Sequence, residues 1–583
     1  MKKITFVFMF LSSLSVFGQI DLDPDTVRYQ QKTGGAIDTF DISNADLPST
    51  FEGGRSMLSL NGLSTKSLYQ DISTRKFQGF TKFDPLKFSA IPHLGFAYSF
   101  GGQGSQFVRL DYSQAFSEHF LFNLKYDRNS GSGFIQNSNY SENNLRAQLQ
   151  RDAKRYSFQL KASFQSWDVA HSGGVVNSTS NYDVIDTLGL EFAAINKTDA
   201  SSSVKLGSAF LKNYFNFSPD SLNHFGLTTH HHYTITNREY LEIDNLSAIY
   251  SSIYIDSSET RDQFNLARIR NAGGAYFSNR KSQFYLDALI EHAYWNFQNL
   301  GVNRDTNEVG FTTNARIRIK DFILTNEARL NLIGGFNEWS EEARLKYSKG
   351  KLKVAAGLVL MNFAPDPFQR SYFANNFSYI LSSIEKQTAM RVGGSLNWNV
   401  KDSVFNFGVS GDFNSLSAAY VFDGDQWRND SLNSFSFGSI KAKAHLALGN
   451  FNIMPTLVYS FDNNGYLPSF QAYSRIYFKG RLFEAKRLEM LLGVDASYTS
   501  QFNNRVYVPA MDAYNLFITP GTNQTNSIFN LHAFASFGIE EFRFYVRYEN
   551  IGYFWNDRRN QEQFGFPIAS PRLRVGLTWD FFN

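Results

Sequence analysis

The sequence predicts an all-β fold, a transmembrane antiparallel β-barrel of about 22 strands (range about 18 to 22) with both termini periplasmic. Three observations predict it. Large apolar and polar side chains alternate at period two from about residue 93 to the last residue. The connections between these runs are alternately short and long. Beyond the N-terminus, no segment is apolar over the ~20 residues that a helical span needs.

Composition agrees with this pattern. Aromatic residues make up 16% of the chain, with 58 Phe and 30 Tyr, and charged residues 19%, below the usual ~25%. Mean hydropathy is nevertheless −0.32. Many large apolar groups in a polar average must be interleaved with polar ones, as on strands with lipid on one face and water on the other. The net charge of +3 comes with no basic tail or stripe, so nucleic acid is not an expected partner. The absence of Cys excludes disulfides, thiolate metal ligands, a Cys nucleophile and a lipid anchor on Cys.

Along the chain, residues 1–18 read as a signal peptide. Lys2 and Lys3 precede an apolar run from Ile4 to Val16, and Val16 and Gly18 suit cleavage before Gln19. Residues 19–92 alternate poorly and carry Asp21, Asp23, Asp25 and Asp38. They are expected to form a periplasmic or lumenal segment ahead of the barrel. The barrel itself is expected over 93–583.

The strand pattern is plain at Tyr156, Phe158, Leu160, Ala162 and Phe164, which oppose Ser157, Gln159, Lys161, Ser163 and Gln165. It recurs at Phe542, Phe544, Val546 and Tyr548 against Arg543, Arg547 and Glu549, and in the last strand at Leu573, Val575, Leu577, Trp579 and Phe581 against Arg572 and Arg574. Short turns are expected at sites such as Lys320-Asp321, Lys349-Gly350, Gly449-Asn450 and Glu540-Glu541. Long loops are expected at 128–142, 166–202, 237–262, 296–309, 362–386, 414–433, 500–526 and 551–571. Trp167, Trp295 and Trp339 sit where strands meet these loops, as an interfacial aromatic girdle would.

The stretch HLGFAYSFGGQGSQFVRLDYSQAF, followed by FNLKYDRNSGSGFIQNSNYSENNLRAQL and YSFQLKASFQSW, resembles the start of the barrel in the "putative porin" family of Bacteroidota outer membranes. The elements that carry the resemblance are Gly101, Gly102, Gly104, Ser113, Gln114, Arg128, Ser130, Gly131 and Gly133. The resemblance implies an outer-membrane location and a pore, and brings no catalytic residues with it.

Candidate site residues come from one basic face. Arg316, Arg318 and Lys320, Arg329, Arg344 and Lys346, and Lys351 and Lys353 each alternate with apolar residues. With those neighbours against lipid, the cations face the lumen, where they would favour anions, unless Glu327, Glu341 and Glu342 balance them. His230 and His232 share a strand face, but two ligands without a nearby carboxylate make no metal site. Asp21, Asp23 and Asp25 lack the Gly and distal Glu of a calcium loop. Glu341-Glu342 and Glu540-Glu541 point to opposite faces of a strand, so neither pair forms a catalytic dyad. No nucleophile or phosphate-binding motif occurs, so neither an enzyme nor a cofactor is expected.

The leading expectation is passive or weakly selective diffusion of small solutes in the outer membrane. The alternative is a non-conducting scaffold barrel that binds other outer-membrane or periplasmic proteins. Outer-membrane lipids are expected partners in either case. Residues 19–92 are too few and too poorly patterned to be the globular plug of a TonB-dependent transporter.

Overall fold

A computed structural model describes residues 89–582, apart from 118, 219–221, 280, 335–336, 399–403, 430–433, 464, 485–486, 504–505, 516–524 and 559. The expected signal peptide and the acidic residues after it lie outside the described residues.

The main sheet has 22 strands. In chain order they begin with β1 (His93–Gly101), β2 (Ser105–Ser117), β3 (Phe120–Gly131), β4 (Tyr140–Arg151), β5 (Tyr156–His171), β6 (Ala200–Asn216) and β7 (Asn223–Glu242). Next come β8 (Thr260–Asn279), β9 (Phe284–Asn299), β10 (Val302–Ile319), β11 (Phe322–Ile333), β12 (Trp339–Lys349), β13 (Leu352–Phe363) and β14 (Gln387–Trp398). The circuit ends with β15 (Phe405–Ser417), β16 (Phe435–Leu448), β17 (Phe451–Asp462), β18 (Phe470–Leu482), β19 (Leu488–Thr499), β20 (Ile528–Ile539), β21 (Phe542–Glu549) and β22 (Arg572–Phe582).

Each strand pairs antiparallel with the next, and β1 closes on β22 in register from His93↔Phe582 to Gly101↔Arg574. A closed sheet satisfies its backbone within itself, which is what a chain crossing lipid without an apolar helix requires. Among the described residues no helix is long and apolar enough to cross a membrane.

The period-two pattern sets which face is which. In β22, Leu573 and Trp579 are exposed while Arg572 and Arg574 are buried. At one end, the turn end, the connections are short. Gly350 and Gly449 open two-residue hairpins at φ of 56° and 63°, a conformation that glycine adopts without a Cβ penalty. At the other, the loop end, most connections are long.

The wall is uneven in height. β6 to β10 run to 17, 20, 20, 16 and 18 residues, whereas a tilted span needs only about 9–11. The outward face of β10 explains the excess. Val309, Phe311, Ala315, Ile317 and Ile319 make the apolar band, and beyond it the outward Asn303, Asp305 and Asn307 are exposed and polar. The expected loop at 296–309 is therefore strand. Its polar residues fit a wall with water on both faces, and only Leu300 and Gly301 turn between β9 and β10. Among the described residues, β10 above Val309 pairs with β9 alone.

The main apolar core lies at the loop end. Buried Tyr240, Phe264, Trp295 and Phe297 of the tall wall pack with Phe368, Tyr372, Phe377 and Tyr379 of the loop after β13. Tyr420, Phe422 and Trp427, from the loop after β15, and Ala510, Met511 and Ala513, from the loop after β19, complete it. These last two loops share a small four-stranded sheet. A second cluster joins Ile135, Val175, Tyr182, Ile185, Leu190 and Phe566 from three further loops.

The girdle expectation fails for two of its three Trp. Trp295 turns inward, 7% exposed, with Nε1 donating to Glu308 Oε1 at 2.9 Å. Trp167 pairs with Val204, whose own partner is the buried Arg238. Only Trp339, 37% exposed beside Leu330, keeps the outward position.

Candidate functional site

The inner wall carries two arginine-rich clusters on opposite sides of the strand circuit. The first spans β8 to β11. Glu291 receives Arg270 through Nη2 at 2.5 Å and Nε at 3.2 Å, and Arg329 at 2.6 Å. Glu308 lies 3.6 Å from Arg329 and 3.8 Å from Arg268. The second spans β18 to β22. Asp495 accepts from Arg475 Nε at 2.7 Å and Tyr473 at 2.9 Å, and lies 3.2 Å from Arg547. Glu549 accepts from Arg572 Nε at 2.5 Å and Arg574 Nε at 2.9 Å, with Arg547 at 3.4 Å. Charges this buried need partners of opposite sign with good geometry, and strand alternation supplies them by placing every second residue inward.

The predicted basic face is inward but does not act as one set. Register places Arg316 beside Thr325 and Thr325 beside Arg344, on a common face. Arg329 is drawn into the first acidic cluster. Arg344 pairs with Glu342, the balancing carboxylate expected from sequence. Arg318 donates to Gln283 Oε1 at 2.7 Å. Lys320 and Lys351 lie in turns, and Arg318, Lys346 and Lys353 are exposed near the same end. The structure thus places Arg329 and Arg344 in a neutralised wall and Arg318, Lys320, Lys346, Lys351 and Lys353 in a cationic fringe at the turn end, with Arg316 on the wall between them. The second cluster was missed as a site, although Arg572 and Arg574 alternate on the last strand and Arg547 and Glu549 on the one before.

The loop end of the lumen is crossed by the aromatic core. Arg238 of β7 donates to the carbonyl of Pro509 at 2.5 Å, tying the wall to the loop after β19. Arg370 stacks over Trp295 at 5.5 Å and donates to the Pro365 carbonyl at 2.6 Å. Burial lowers its guanidinium from the ordinary value, and the carboxylates of Glu338 and Asp366 partly offset this. Asn375, 2% exposed, ties two loops together. Its side chain accepts from the backbone of Ile255 and Asp256 at 3.0 and 2.8 Å, and donates to the carbonyls of Asp256 and Glu259 at 2.8 and 3.0 Å.

Below this cap, the wall of β6 to β11 holds a small, partly open recess. Lys212, His230, His232, Arg270, Glu291 and Glu327 are among its lining residues. His230 and His232 share a face as expected, and that face is inward. Among the described residues, no group of three or more His, Asp or Glu is placed to hold a metal ion.

A family profile described as "Putative porin" matches residues 86–583. No curated protein matches the sequence. Solved structures share the fold at low identity. The copper transporter OprC aligns with a TM-score of 0.59 and 10% identity over 86% of this chain and 82% of its own. The FrpB iron transporter from Neisseria meningitidis gives 0.57 and 10% over 87% and 84%. BauA, the ferric preacinetobactin receptor from Acinetobacter baumannii, gives 0.53 and 12% over 85% and 80%.

Proposed function

The chain belongs to the "putative porin" family, and from that premise we propose that it is an outer-membrane barrel admitting small solutes selectively, not by free diffusion. The observation that carries this reading is the aromatic core across the loop end, above a wall of paired buried charges. A 22-stranded barrel is wide enough to need an internal filling, and here the loops supply part of it. Short turns face the periplasm in barrels of this class, so the cap lies on the outer side and the cationic fringe lines the periplasmic exit. That fringe gives the channel a modest anion preference. The solved transporters and receptors of similar fold make selective uptake a natural use of such a barrel.

A capped mouth also suits the second reading, a scaffold barrel in a larger assembly. Planar-bilayer recordings separate the two. Purified protein is expected to show a small conductance that rises severalfold when residues 500–527 are replaced by a short Gly/Ser linker. A large, steady conductance with intact loops would mean an open passive pore. A barrel still sealed after the replacement would favour the scaffold.

A further inference from the structure

The recess in the β6–β11 wall has a charge arrangement that the paired clusters lack. Arg270 and Glu291 satisfy each other there. Lys212 and Glu327 do not take part in any ion pair within 4.0 Å among the described residues. Lys212 Nζ sits 5.0 Å from the ring of Tyr214 and 6.0 Å from that of Tyr285. Two neutral groups in the lining are also orphaned: His230 Nε2 and Thr312 Oγ1 are buried with no hydrogen-bond partner. Buried polar atoms are rarely left this way, and an unmade hydrogen bond costs about 1–3 kcal/mol.

The register sorts these groups into two ends. Lys212 is the direct cross-strand partner of His230, which gathers a cation and an imidazole at one end. Glu327 is the direct partner of Asn314 at the other. Asn314 Nδ2 already donates to Asp287 Oδ1 at 2.7 Å, so its carbonyl oxygen is the atom left to accept. Thr312 lies two residues along the same face of β10 from Asn314, between the ends.

We propose that this recess binds a small zwitterion, a free α-amino acid, with its carboxylate on Lys212 and His230 and its ammonium on Glu327 and the Asn314 carbonyl. Lys212 and Glu327 attract each other across the recess without touching, so a lone anion or cation meets only one of them. A molecule carrying both charges answers each and gives Thr312 a partner. The site deepens the channel reading and rests on it, since it places a solute on the lumen wall beneath the cap.

The test is calorimetric titration of the detergent-solubilised full chain with L-alanine, propionate and ethylamine. Propionate is alanine without its ammonium, and ethylamine is alanine without its carboxylate. L-Alanine is expected to bind, and each analogue to bind at least about tenfold more weakly, because each meets only one of the two charged ends. Lys212→Met and Glu327→Gln are each expected to weaken L-alanine by at least about tenfold. Thr312→Val, which leaves the charges in place, should weaken it by a smaller factor and serves if a charge variant does not fold. Propionate binding as tightly as L-alanine would overturn the proposal, as would no binding to wild-type protein with native circular dichroism. Binding without bilayer conductance would keep the site and remove the channel. Conductance without binding would remove the site alone.

Discussion

Phe422→Ala tests whether the loop-end cap is a packed unit with a stability of its own. Phe422 is 0% exposed, with ring centroids 5.8 Å from Phe377 and 5.7 Å from Trp427. Its backbone pairs with Trp427 in one loop and Asn515 in another, so its side chain sits where the two loops meet. Truncating a buried Phe to Ala costs about 3–5 kcal/mol. The barrel below depends on its own strand ladder, so this loss falls on local opening of the cap. At about 1.4 kcal/mol per tenfold, the open population rises by roughly two to three and a half powers of ten. Limited proteolysis reads it directly: cleavage within 418–434 should accelerate by at least about a hundredfold. The temperature at which the barrel loses its heat-modifiable migration should stay the same. Phe529→Ala, at a ring 42% exposed on the outer face, should leave cleavage unaltered. An unchanged rate in Phe422→Ala, or a barrel that melts together with its loops, would refute the reasoning.

Three further outcomes are expected. Glu549→Gln removes the carboxylate shared by Arg547, Arg572 and Arg574 and should destabilise the barrel by about 3–5 kcal/mol in urea titrations from lipid vesicles; Arg574→Met, which leaves Glu549 two partners, should cost less. Asn375→Ala removes four part-buried hydrogen bonds to the 255–259 backbone, each worth about 0.5–1.5 kcal/mol net, so amide exchange over 253–260 should speed up while exchange in β1 to β4 does not. Lys351→Gln combined with Lys353→Gln thins the cationic fringe and should lower the chloride-to-potassium permeability ratio by about twofold in reversal potentials.

The strands were legible because alternation is local. Each inward or outward choice in β5 or β22 is written in two neighbouring residues, and so the strand number follows. The cap was not legible, because Tyr372, Phe422 and Met511 come from loops far apart in sequence and meet only once the barrel brings their roots together. The tall wall was misread at 296–309 because a polar run looks like a loop when lipid is assumed outside every strand. Among the candidate site residues, the facing of Arg316, Arg329 and Arg344 was readable from parity. Their partners were less so: Glu342 lies close by on the same strand, but Glu291 reaches Arg329 from two strands away. The recess needed six strands at once, and only His230 and His232 hinted at it.

The height of the wall has one more consequence. Among the described residues, β10 above Val309 has a strand partner on one side only, and its other flank is a template onto which any extended chain could stitch itself. The hairpin Ser371–Phe373 and Ser378–Ile380 stands guard there. Arg304 Nε donates to Ser371 Oγ at 2.9 Å, and the Phe373 amide donates to Asn299 Oδ1 at 2.8 Å. A chain shorn of that hairpin would present a bare, water-exposed selvedge. Clumping of otherwise intact barrels, rather than unfolding, would be the first symptom of its loss.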